Sequence, residues 1–304
     1  MGVTKAEPLG SCFGFAVRSA LQFHFLRLGE GDPLEICTHG EDGFGVRGRL
    51  VREWNTVGNE RFQARLFEEG RRYRLSVVDE GSFIIDPYVP RVSLPAEGNG
   101  VKREERLWGI PALLCFLARG DVPIHAAAIE IRGEAVLLAA PGKFGKTTLA
   151  AGFVRAGYRL LAEDLSCLRL SPAPEVIPGP AMLRVRRDVA EQLQIPFAQA
   201  LDAGDERLHL ALDTDLRGDC TPVPVRAIVF LRGGDQALDL APAEAAQVVR
   251  DLFALSFHLS GPDEAARAFA ATADLAASIP AWNVFYPLRL SDLDRTIEEV
   301  ASRV

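Results

Sequence analysis

Lysine is scarce in this chain. Only four occur, at positions 5, 102, 143 and 146, among 34 basic residues, so arginine is the ordinary cation. Cysteine is present five times (Cys12, Cys37, Cys115, Cys167, Cys220) but never as a C-x-x-C pair. That spacing excludes a zinc ribbon or a disulfide framework and leaves reduced thiols acting as small hydrophobes. A basic surplus is also missing. The net charge of −7 argues against a general nucleic-acid binder, for which a basic domain is expected. No run of about 18 uncharged apolar residues reads as a membrane span. The opening MGVTKAEPLGSCFG lacks the long apolar core of a secretory signal. Ala6 stands where a myristoylation pattern requires Ser or Thr. These absences lead to the expectation of a cytoplasmic protein that engages neither membrane nor nucleic acid.

What is present is ordinary globular material: 304 residues, 48% hydrophobic and 25% charged, enough for a sizeable core. Two parts are expected. Residues 1–100 form a β-rich N-terminal domain, because FGFAVRS, GVRGRLVREW, RFQARLF, YRLSVVD and SFIIDPY are short, partly alternating and separated by turn formers. The polar stretch SLPAEGNGVKREE (93–105) places the boundary, and residues 101–304 form an α/β domain. Within it, RLWGIPALLCFLARG (106–120) reads as one apolar helix, and the KREER run (102–106) as its exposed start. HAAAIEI and AVLLAA read as a hairpin, and TTLAAGFVRAG (147–157) as a helix. YRLLAEDLSCLRL is then a buried strand interrupted by two acids. Later signals are weaker: an extended crossing at the prolines 172–180, a strand at AIVFL, a helix over 242–257 and a last helix capped by Ser291. Trp108 and Trp282 are expected to pack in the core.

The stretch VLLAAPGKFGKTTLAAGF (136–153) runs from strand to helix through a loop holding half the lysines of the chain. It nearly matches G-x-x-x-x-G-K-[ST], with Ala140 at the first glycine position. A triphosphate needs inward backbone N–H groups, a helix N-terminus and one mobile cation. Gly142 and Gly145 permit the tight turn, Lys146 supplies a flexible ammonium and Thr147 a hydroxyl for magnesium. The nucleotide-binding candidates are therefore Ala140, Pro141, Gly142, Lys143, Phe144, Gly145, Lys146, Thr147 and Thr148. Glu163 and Asp164 follow at the next strand end, where adjacent acids point to opposite sides: one toward magnesium, one toward a substrate. His125 opens the hairpin fifteen residues before Ala140.

Taken together, H-A-A-A-I-E-I, A-P-G-K-F-G-K-T-T and R-L-L-A-E-D resemble the HPr serine kinase/phosphorylase superfamily, kin to phosphoenolpyruvate carboxykinase. Within it the chain looks most like the HPr kinase-like serine kinases of lasso peptide biosynthesis. The resemblance covers residues 105–170 closely and the remainder loosely. It implies a P-loop kinase domain with ATP and Mg2+ as cofactors and a serine on a ribosomally made peptide as acceptor. Residue by residue, it implies phosphate binding by Lys146, metal binding by Thr147 and Asp164, base action by Glu163 and orientation or charge balance by His125. Arg184, in AMLRVRRD, matches an arginine that would brace the transferring phosphate, and Arg226 has a lesser claim. Assembly into a homo-oligomer is implied as well.

Three positions depart from the family pattern: Ala140, the Gly142-Lys143 pair, and Glu163 in place of aspartate. The E-R-R-G-L-G signature of the phosphorylases is absent. Two alternatives therefore stand beside the peptide kinase: a nucleotide-binding adapter with weak catalysis, and a kinase of small hydroxyl-bearing molecules.

Overall fold

The computed structural model describes residues 7–40, 48–56, 62–141, 144–204, 206–234, 237–287 and 289–304. Eight strands form the first sheet: β1 (Gly10–Cys12), β2 (Phe15–Arg18), β3 (Asp32–His39), β4 (Arg49–Thr56), β5 (Phe62–Glu69), β6 (Arg72–Val77), β7 (Gly81–Asp86) and β8 (Arg91–Pro95). Their order is β1-β2-β3-β8-β7-β6-β5-β4. Strands β4 to β8 make an antiparallel meander, while β3 lies parallel to both β2 and β8. Alternation explains the buried face: Tyr73, Leu75 and Val77 on β6, and Phe83 and Ile85 on β7, point to one side.

Two helices cover that face, α1 (Gly100–Leu107) and α2 (Ile110–Arg119). The single helix expected over 106–120 is thus broken at Trp108 and Gly109, with Pro111 in the first turn of α2. Although the division at residue 100 assigns both helices to the second part, Leu107, Trp108, Leu113 and Phe116 complete the core of the first sheet. KREER is not an exposed start. Val101, Glu104, Glu105 and Leu107 occupy the inward stripe of α1, so two carboxylates are buried with the apolar residues. Glu104 accepts the backbone N–H of His24 at 2.8 Å and of Phe25 at 3.0 Å, and the Trp108 indole N–H at 3.2 Å.

The second part continues with β9 (Val122–Ile124), β10 (Ala126–Ile131), β11 (Glu134–Ala139), α3 (Lys146–Arg155), β12 (Arg159–Ala162), β13 (Ser166–Arg169) and β14 (Glu175–Ile177). Next come β15 (Met182–Arg186), α4 (Arg187–Leu193), β16 (Gln199–Asp202), β17 (Arg207–Ala211), α5 (Thr214–Arg217), β18 (Val223–Gly234) and β19 (Asp239–Pro242). The chain ends with α6 (Ala245–Leu255), α7 (Pro262–Ser278), β20 (Ala281–Pro287), a 3-10 turn and α8 (Leu293–Arg303). That turn precedes α8, and the Ser291 hydroxyl bonds to the Asp292 side chain rather than capping the helix.

A nine-stranded mixed sheet organises this part, and β15-β17-β16 form a small separate one. Strand β11 lies between β10 and β18 and is buried on both faces, which is why AVLLA reads as an unbroken apolar run. Val136 and Leu138 face the core shared with α3 and α8, while Ala135, Leu137 and Ala139 face the core shared with α6 and α7. Strand β10 is antiparallel to both β11 and β12. The start of β10 therefore sits beside the ends of β11 and β12, bringing His125, the loop and the acid pair to one edge.

Arg27 joins the two parts. Its side chain is only 1% exposed, donating to the carbonyls of Gly179 at 2.6 Å and Leu160 at 2.7 Å. Burial pushes its pKa down to about 10. Leu160 belongs to the strand that ends at the acid pair, so this contact fixes β12 from behind. Arg27→Ala is expected to lower the unfolding free energy by about 3 kcal/mol, because buried carbonyls lose their donors and a cavity remains. Arg91→Ala, which removes an exposed pair with Glu35, should change it by less than about 1 kcal/mol; urea denaturation measures both.

Candidate active site

The loop begins where β11 ends. Ala140 is 1% exposed and packs in the core with Leu149 and Ala150 of α3. Its φ lies outside the left-handed region, so a methyl group replaces the consensus hydrogen without strain and gains apolar contact. Gly142 and Lys143 lie outside the described residues. Pro141 and Phe144 are exposed, and the Phe144 carbonyl accepts the Tyr286 hydroxyl at 2.8 Å. Gly145 takes φ 77° at the N-cap of α3, a conformation that favours glycine. No side-chain hydrogen bond caps that helix, which leaves its first N–H groups available to an anion.

Lys146 starts α3 with its side chain almost buried, at 7% exposure. Its ammonium donates to Asp164 Oδ1 at 2.6 Å and lies 3.1 Å from His125 Nε2. The other oxygen of Asp164 lies 3.6 Å from His125 Nδ1 and 3.7 Å from Arg184 Nη2. Burial alone would raise the Asp164 carboxyl, but Lys146 first, with Arg184 further off, overcomes it and holds the group well below the usual carboxylate range. His125 is pushed down, first by burial and further by Lys146, against the pull of Asp164. A neutral imidazole in that position accepts from the ammonium.

The Thr147 hydroxyl donates to Glu163 Oε1 at 2.7 Å. Glu163 is 5% exposed, and its second oxygen accepts Arg184 Nε at 3.1 Å. Of the two expected metal ligands, Thr147 thus meets Glu163 while Asp164 meets Lys146. The extra methylene of glutamate carries its carboxylate back to the helix N-terminus, while the aspartate turns toward Lys146 and solvent. Thr148 lies half-buried in the first turn of α3.

Arg184, on β15, is the hub. Besides Glu163 and Asp164 it pairs with Glu105 of α1, whose other oxygen lies 2.9 Å from His209 Nε2 on β17. Glu105 also meets Arg106 at 3.3 Å, and Arg106 continues to Glu80 at 2.8 Å. Burial opposes charge on Arg184, but Glu163, Glu105 and Asp164 hold its proton more firmly than usual. Sequence reading missed Glu105 and His209; the only signal for Glu105 was its place among the apolar positions of α1. Arg226 does not join this cluster. It pairs with Glu134 at 2.9 Å where β11 and β18 begin, the end of β11 away from the loop.

No group of three or more His, Cys, Asp or Glu poised to hold a metal occurs among the described residues. The adjacent hydroxyl of Thr147 and carboxylate of Glu163 nonetheless fit Mg2+, which takes one or two protein oxygens and fills its shell with phosphates and water.

No protein-family model matches the chain, and no curated protein matches it. Among solved structures it is similar to the HPr(Ser) kinase/phosphatase of Coxiella burnetii, at 11% identity and a TM-score of 0.33. That match covers 59% of this chain and 94% of the other.

Glu105 yields a prediction. Burial favours its protonated form, but Arg184, His209 and Arg106 hold it well below the usual range. Its stabilisation is thus fully present above the unfolded carboxyl pKa, about 4.3, and is lost as pH falls toward the folded value. Glu105→Ala, which strips His209 of its carboxylate partner and Arg184 of one of three, should lower stability by about 3 kcal/mol at neutral pH. Glu105→Gln should flatten the acid limb of the stability–pH curve.

Proposed function

We propose that this protein is a phosphotransferase that moves the terminal phosphate of magnesium-bound ATP to a hydroxyl, with serine on a peptide as the acceptor. The observation that supports it best is the convergence of Lys146, Thr147, Glu163, Asp164 and Arg184 at one uncapped helix N-terminus. An ammonium, a hydroxyl, two carboxylates and a guanidinium are the parts that phosphoryl transfer requires, because that chemistry depends on positioning and charge neutralisation.

In this reading the N–H groups of α3 and Lys146 hold the phosphates, and Thr147 with Glu163 holds magnesium. When bound, the metal neutralises charge on the phosphate oxygens. Lys146 leaves Asp164 for the phosphates, which frees the carboxylate to act as general base. The acceptor oxygen bonds to the terminal phosphorus, its proton passes to Asp164, the bond to the bridging oxygen breaks and ADP departs. Arg184, still braced by Glu105, carries part of the charge on the transferring group. Neutral His125 orients Lys146 and Asp164. These roles reverse the assignment the sequence resemblance implies for the two acids: Glu163 sits on the metal side and Asp164 on the acceptor side.

The acid pair separates the steps. Asp164→Asn should reduce transfer by roughly 10²–10⁴-fold while nucleotide binding persists, the range general-base catalysis supplies. Lys146→Ala should weaken both nucleotide binding and transfer. Labelled-phosphate transfer combined with nucleotide titration measures the two effects, and transfer at the parental rate by Lys146→Ala contradicts the reading.

A further inference from the structure

Next to the acid pair a cleft of about 180 Å³ opens between the first sheet, the α1–α2 corner and β15. Glu163, Asp164 and Arg184 line it together with Phe62, Trp108, Ile110 and Met182. No described residue of the loop 140–147 lines it, so it meets the site from the acceptor side of the acids. A cavity of about 150 Å³ holds benzene, which sizes this cleft for one side chain such as Leu or Phe and excludes a nucleoside.

The charges along the cleft are already answered. Arg184 is paired with Glu163 and Glu105. Arg106 is paired with Glu80 and Glu105, and its guanidinium lies 4.8 Å from the Phe62 ring centre. With Asp164 taken up by the acceptor hydroxyl, a charged group entering the cleft would lose its hydration without gaining an unpaired partner, whereas an apolar group gains the aromatic and aliphatic walls. An acidic group would also meet Asp164 and Glu163.

We infer that this cleft receives the side chain next to the acceptor hydroxyl, and that the acceptor is a peptide serine with an apolar neighbour. The inference rests on the phosphotransferase reading above and deepens it. The cleft has the volume of one side chain and is open to solvent, which leaves the rest of a chain outside, as a peptide requires and an enclosed small molecule does not.

The test uses the full chain, radiolabelled ATP and Mg2+ with hexapeptides carrying one serine next to Leu, Phe, Glu or Lys. Free serine and 3-phenylpropanol serve as small-molecule arms, and nucleotide affinity is measured in parallel. The Leu and Phe peptides should exceed the Glu and Lys peptides in kcat/KM by about tenfold or more, the discrimination one apolar side chain supplies. Ile110→Trp, which fills the cleft from a half-buried position, should raise KM for the Leu peptide by about tenfold and erase the preference. Should that variant misfold, Ile110→Ala should raise the same KM by widening the wall. Equal rates for all peptides, preference for a charged neighbour, transfer only to the small alcohols, transfer to no probe, or an unchanged KM in a folded Ile110 variant each overturns the inference. If nucleotide fails to bind, the phosphotransferase reading falls first; if nucleotide binds and transfers without regard to the neighbour, only the cleft assignment falls.

Discussion

A nearly buried ammonium is the constraint around which this molecule is arranged. Lys146 stands at the first turn of α3 with little solvent, where an unpaired cation would be costly. Its position is dictated by the loop, and its charge must be answered by groups from elsewhere in the chain. Asp164 answers it from the end of β12, with His125 beside it from the start of β10. The antiparallel order β12-β10-β11 makes this possible, because it stacks one strand start between two strand ends. Here the topology of the sheet becomes the chemistry of the site.

Around that pair the polar groups form a chain reaching into the first sheet. Thr147, Glu163, Arg184, Glu105, Arg106 and Glu80 link α3 to the turn between β6 and β7 through alternating charges. On the other side, Arg27 holds the backbone of β12, and Glu104 holds the segment at His24 and Phe25. The β-rich part is thus more than an appendage. It supplies one wall of the cleft beside the acid pair and sets the rear and flank of that pair. Burying these charges rewards complete pairing and punishes its loss, so the relative placement of the two parts and the geometry of the site depend on each other.

Much of this was legible in the sequence. The strand–loop–helix–strand order, the hairpin at His125 and the acid pair are local, and their spacing carries their meaning. The α1 acids were not legible, because a charge run normally marks a solvated face, and only the positions of Glu104 and Glu105 on the stripe of Val101 and Leu107 betray them. His209 and Arg27 find their partners more than a hundred residues away, where no local pattern points. Strands β3 and β8, missed in reading, alternate exposed and buried residues in runs that include proline and cysteine. The direction in which each acid turns depends on side-chain length against a fixed backbone. Glu163 is longer by one methylene, and that length takes it to Thr147.

The central claim is that Lys146 exchanges one partner for another when substrate arrives. A crystal structure of the full chain with magnesium and a non-hydrolysable ATP analogue tests it most directly. The account predicts phosphates on the N–H groups of α3, the Lys146 ammonium moved from Asp164 onto them, and the metal beside Thr147 and Glu163. A nucleotide bound elsewhere, or a Lys146–Asp164 pair left intact beneath it, would contradict the account.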